Sequence, residues 1–174
     1  MAAPSFVVKV PAPKPADMAH DLVTSTPEAD LPKLAMSDRE FVLANGSADD
    51  AAKVWNSMKG KSVTIPDALV IESSPTLLKV AVSDDAVNGK TADFTFNMAA
   101  PSDTKTTAAA AKKTADEIAA ATAVGQKVTL TGTFDSFTPS PIMITMTDGA
   151  VVLAKKTPAK TPAKPPVHHT APHK

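Results

Sequence analysis

Hydrophobic and polar residues alternate through much of the second half of the chain, and the places where the alternation breaks are as informative as the runs. In "KSVTIPDALVIE", residues 61–72, Val63, Ile65, Leu69 and Ile71 share one parity, the period-2 signature of a half-buried strand. Pro66-Asp67 inside the run predicts a bulge or an edge, because proline has no N–H to give to a ladder. "LLKVAVSD" places Leu78, Val80 and Val82 on one face, with Leu77, Lys79, Ala81 and Ser83 on the other. After the turn-rich "DDAVNGK", Phe94, Phe96 and Met98 alternate with Asp93, Thr95 and Asn97 to make a third strand. A fourth carries Val128, Leu130, Gly132 and Phe134 on one side; a loop, "DSFTPSP", separates it from a fifth with Ile142, Ile144 and Met146. Asp148-Gly149 predicts a turn into "AVVLA".

Two stretches follow a helical period instead. "TKTTAAAAKKTADEIAAATAV" is a run of strong helix formers, with Ser102 or Asp103 as its N-cap and Gly125 as its stop, which predicts one helix of about five turns. In "SADDAAKVWNSMKG", Ser47 is a candidate N-cap, and Ala51, Val54, Trp55 and Met58 recur at helical spacing. A short helix there leads into the first strand, with Trp55 expected to cover an open end of the core. The lead-in 31–47 fits neither period.

Composition changes this picture mainly at the ends. The 174 residues, 43% of them hydrophobic, suit one core. Most of the 16 prolines lie outside the middle of the chain, in "VPAPKPADMAH" and "KKTPAKTPAKPPVHHTAPHK", where apolar content is too low to offset ordering entropy. The expected organisation is a disordered proline-rich arm over 1–30, an unassigned lead-in over 31–47, a barrel over 48–154 and a disordered basic tail over 155–174. The formal charge of zero is unevenly distributed: residues 1–154 hold all 18 acids and 13 bases, whereas residues 155–174 hold five lysines and no acid. An acidic body with a basic tail repels phosphate at long range except through that tail. No cysteine is present, which excludes disulfides and thiolate chemistry but leaves the compartment open. The sequence as it stands is expected to carry neither a signal peptide nor a membrane-spanning run, which leaves a cytoplasmic place and export after removal of a leader both open.

Three strands, a helix and two strands is the element order of the OB-fold, a small Greek-key barrel. "MKGKSVTI" at the first strand and "GQKVTLTGTF" at the fourth resemble the glycine-started, valine-alternating strands of bacterial OB domains of the tRNA-anticodon-binding-like type. The resemblance spans roughly residues 48–154. It implies a mainly β chain, a five-stranded OB-like barrel with one helix between strands three and four, and ligand binding across the exposed face of strands two and three. SH3-like barrels share the alternation but usually lack the central helix.

On that face the outward positions are Leu77, Lys79, Ala81, Ser83, Asp93, Thr95 and Asn97, which offer one lysine, one acid and no ring. Single-stranded nucleic acid needs cations along a groove and aromatic platforms for its bases, so the face is a poor match for oligonucleotides. Lys79, Thr95 and Asn97, with Phe137 in the "DSFTPSP" loop, are the expected ligand contacts; Phe137 has the alternative of plugging the barrel mouth. Lys155, Lys156, Lys160 and Lys164, in a tail with two T-P-A-K copies that resembles linker-histone-like basic tails, are the expected non-specific polyanion contacts. His168, His169 and His173 match no closed metal-site spacing, and His20 has no assignable partner. Adjacent acid pairs such as Asp84-Asp85 point apart and define no acid and base across a shared site. The sequence therefore predicts a non-catalytic binding module without metal or cofactor. A protein or envelope component is the expected partner, and single-stranded RNA or DNA bound through the barrel and tail is the alternative.

Overall fold

The computed structural model of the chain describes residues 11–99 and 108–153. Its centre is a closed barrel of five strands: β1 (Ser62–Ser73), β2 (Leu77–Ala81), β3 (Phe94–Met98), β4 (Lys127–Pro139) and β5 (Ile142–Val151). Around the ring the order is β1-β2-β3-β5-β4. β3 and β5 pair in parallel and every other neighbour is antiparallel. A helix, α5 (Ala108–Ala121), lies between β3 and β4 in the chain, as expected; the predicted caps Ser102 and Asp103 lie outside the described residues.

Inside the barrel, Leu78, Val80, Phe94, Phe96, Val128, Leu130, Phe134, Ile144 and Met146 are buried, so the parity of four strands is as the sequence predicts. β1 departs from it. Asp67 takes a positive φ of 54°, and the register of β1 against β4 shifts between Ile65 and Ala68. The added residue turns Ala68 and Val70 inward and leaves Leu69 and Ile71 half-buried, because a bulge exchanges the faces of everything beyond it.

Two expected breaks are also strand. β4 runs through "DSFTP" to Pro139, which pairs with Ile142 across a hairpin at Ser140 and Pro141. Asp148-Gly149 makes a second bulge within a continuous β5: Phe96 faces Met146, but Met98 faces Gly149. Asp148 carries the positive φ there. Gly149 is required for closeness, since a Cβ would stand 3.0 Å from Asn97 O and from Met98 Sδ. "DDAVNGK", read as a turn, contains a short helix, α4 (Asp84–Gly89), capped by Ser83.

The N-terminal half corrects the expected disordered arm. From Pro15 onward it is folded: α1 (Pro15–Ser25), a 3-10 helix (Glu28–Lys33), α2 (Met36–Asn45) and α3 (Ala48–Met58). Pro15 stands at the helix start, where its missing N–H is not needed. A few well-placed apolar residues suffice for docking: Ala19, Val23, Leu31, Val42, Leu43, Val54 and Met58 are buried and join the barrel interior in one core. Trp55 covers the barrel end as predicted, its ring edge-on to Phe134 at 6.3 Å.

Candidate functional site

The expected ligand face belongs to a row of side chains that runs around the outside of the barrel. Strand register places Glu72, Lys79, Thr95, Thr145 and Ser136 side by side across β1, β2, β3, β5 and β4. Lys79 Nζ donates to Glu72 Oε2 at 2.7 Å, so its charge is locally matched. Thr95 is half-buried, with its hydroxyl 3.1 Å from Met143 Sδ, and Asn97 is exposed opposite Leu77. The structure thus brings Lys79, Thr95 and Asn97 together.

Phe137 is not with them. It pairs with Ile144 in the row that contains Val80 and Phe94, whose side chains are inside the barrel. Its ring packs 4.8 Å from that of Trp55, so it closes the barrel mouth. Two other positions of the predicted outward set also differ: Ala81 and Asp93 are buried, at 0% and 1% exposure. Lys155, Lys156, Lys160 and Lys164, together with His168, His169 and His173, lie outside the described residues.

Asp93 leads to a site that the sequence did not indicate. Just before β3, it receives the N–H groups of Val82 and Ser83 at 2.8 Å each and the Ser83 hydroxyl at 2.6 Å. These three donors fix the Asp93 carboxyl against the end of β2. Against it, from the helical layer, stands Glu40 of α2, only 4% exposed. Burial first, then the neighbouring Asp93 charge, pushes the Glu40 carboxyl up to about 8 from an ordinary 4.5, with Ser83 and Arg39 opposing the rise. Two carboxylates in one dry pocket cannot both ionise cheaply, so Glu40 keeps its proton at neutral pH. Its Oε1 is buried and has no hydrogen-bond partner among the described residues, as is Arg39 Nε on the same helix. Burial lowers the Arg39 guanidinium, and Glu40 partly restores it.

Above this pair runs an open groove of about 660 Å³ between α1, α2, the start of α4 and Ile142 of β5. Met18, Leu22, Phe41 and Ile142 give it apolar walls; Asp38, Glu40, Asp84 and Asp85 give it acids; among the described residues no basic side chain lines it. A second groove, of about 490 Å³, follows the opposite flank of α2 along Leu43, Ala52, Trp55, Phe137 and Pro139, without a charged group.

His20 also finds a partner. Its Nδ1 lies 3.0 Å from Asp50 Oδ2, on which the Ser47 hydroxyl also donates at 2.7 Å, while the Asp50 N–H donates back to Ser47 Oγ at 3.2 Å. These bonds, from Ser47 first and His20 second, hold the Asp50 carboxyl below its ordinary value. They tie α1 to the N-terminus of α3, a structural role. The sequence signal for Glu40 was weak because it stands in the lead-in that fits no period, and that for Asp93 was misleading because strict alternation turns it outward.

Among the described residues no three His, Asp or Glu side chains cluster with metal-binding geometry, and no helix is long and apolar enough to cross a membrane. Comparison with protein-family models, with curated proteins and with solved structures returned no match, so the site's own geometry is what bears on function.

Proposed function

We propose that the chain is a non-catalytic binding module of the OB type, of the tRNA-anticodon-binding-like kind, whose partner is a protein or envelope component. The OB assignment is supported by the ring order β1-β2-β3-β5-β4, the parallel β3–β5 pair and the helix between β3 and β4. A protein partner is favoured over an oligonucleotide by one observation above all. The row Glu72, Lys79, Thr95, Thr145, Ser136 carries a self-neutralised ion pair and hydroxyls, with no aromatic ring. Stacking on aromatics supplies about 1–3 kcal/mol per base, and no aromatic side chain is fully exposed among the described residues.

The test is fluorescence anisotropy of labelled single-stranded DNA and RNA at low and at physiological salt. Two proteins are compared: the full chain, and the full chain with Lys155, Lys156, Lys160 and Lys164 changed to glutamine. The expected result is at most weak, salt-sensitive binding that disappears with the four lysines. Binding that persists without them, and falls on Lys79→Ala, would establish the alternative of a barrel that holds single strands.

A further inference from the structure

We propose that the groove between α1, α2 and the start of α4 receives a lysine or arginine side chain of a protein partner, whose cation pairs with Glu40. The inference rests on the protein-binding reading above and names the chemistry of the partner. Acids alone would not make a site; what points to a ligand is the buried, unpartnered Oε1 of Glu40, a groove-lining residue that is 4% exposed. A buried carboxyl oxygen without a hydrogen bond is costly; among the described residues Asp93 and Ser83 hydrogen-bond with the Glu40 carboxyl and Arg39 stands beside it, yet Oε1 itself has no partner.

The charges facing the groove agree in sign. Asp38 comes from α2 beside Glu40, Asp84 and Asp85 from α4, and Asp93 lies beneath, held by its three donors. The apolar walls Met18, Leu22, Phe41 and Ile142 fit the methylene stem of a long cationic side chain, which buries its stem while its head finds the anion. A metal ion fits less well, because the acids do not converge on one point.

The cation and the Glu40 proton compete. An ammonium or guanidinium beside Glu40 stabilises the carboxylate, so binding expels a proton and is tighter at higher pH. Below the range in which Glu40 ionises, the affinity rises up to about tenfold per pH unit, and buffers of different ionisation heat show release of about one proton per peptide at pH 7.

The experiment is isothermal titration of the full chain with a peptide of about ten residues alternating alanine and lysine, at pH 6 and pH 8, alongside its glutamate counterpart. The expected result is binding of the lysine peptide only, tightening at least tenfold between the two pH values, with proton release. Glu40→Gln is isosteric and removes a titrating buried group, so it folds; it is expected to abolish both the pH dependence and the proton release. Lysine-peptide binding that keeps both in Glu40→Gln overturns the groove assignment and leaves the protein-binding reading standing. No peptide binding, together with oligonucleotide binding by the barrel, overturns both. Much tighter peptide binding after the four tail lysines become glutamine would overturn the choice of partner, since the chain's own tail would then hold the groove.

Discussion

Glu40→Gln has a second consequence, in stability, that follows from the same buried pair. In the unfolded chain Glu40 ionises at its ordinary 4.5; in the folded chain it holds its proton up to about 8. Below pH 4.5 both states are protonated and the fold has its full stability from this residue. Between pH 4.5 and 8 the folded state binds one more proton than the unfolded state, so stability falls as pH rises, by at most about 1.4 kcal/mol per unit. From pH 5 to pH 7.5 the loss is about 3 kcal/mol, a large share of the stability of a domain this size. Glutamine keeps the shape and cannot ionise. Subtracting the two proteins' unfolding free energies at each pH cancels the titrating groups that Glu40 does not touch. Urea unfolding followed by the emission of Trp55, buried at the junction of helices and barrel, gives those free energies. The difference is expected to grow by about 3 kcal/mol in favour of Glu40→Gln between pH 5 and pH 7.5. A difference that stays constant over that interval would show that Glu40 is not a protonated buried acid, and the pairing with Asp93 would be wrong.

Other substitutions probe separate parts of the fold. Ser47→Ala removes the cap of α3 and is expected to destabilise by about 1 kcal/mol in urea unfolding. The stability that Asp50 provides should be present above its ordinary value of 3.8 and fall away only as the solution becomes more acid than that, measurable as a steeper acid limb in wild type than in Asp50→Asn. Gly132→Ala would set a Cβ 3.0 Å from the Phe96 ring and 3.3 Å from Met146 Cβ; a loss of about 1–3 kcal/mol is expected by the same method. Lys79→Ala breaks a solvent-exposed ion pair and should leave stability within about 0.5 kcal/mol.

Strand content and barrel closure could be read from alternation because β2, β3 and the first half of β4 contain no residue that interrupts it. The misread parity of β1 and the misread turn in β5 share one cause. Asp67 and Asp148 each adopt a positive φ inside a strand; Pro66-Asp67 marked the first bulge, but the face exchange that an inserted residue imposes on everything after it was not carried into the parity of Leu69 and Ile71. At Asp148-Gly149 the same dipeptide that suits a hairpin turn instead lets β5 pass close to Asn97 O. The helical layer was hidden by composition: Ala19 and Val23 bury fully while their surroundings are proline-rich and polar. Lys79, Thr95 and Asn97 were placed correctly since parity suffices for a regular face. Glu40 and Asp93 were not, since they stand 53 positions apart in the sequence and only the docking of α2 onto the β2–β3 link brings them together.

The closure of the barrel has a consequence for how any partner attaches. A strand at the margin of an open sheet offers unpaired N–H and C=O groups, and many extended peptides bind by adding themselves there. Here each of the five strands has a neighbour on both sides, with β1 joined to β4 from Ser62 opposite Thr133 to Leu69 opposite Lys127. Among the described residues, open main-chain margins are therefore confined to the strand ends that outrun one neighbour, residues 62–65 of β1 beyond β2 and 136–139 of β4 beyond β1. Short margins of this kind give an added strand far less to pair with than the full edge of an open sheet, which is one way that edge-to-edge stacking is limited.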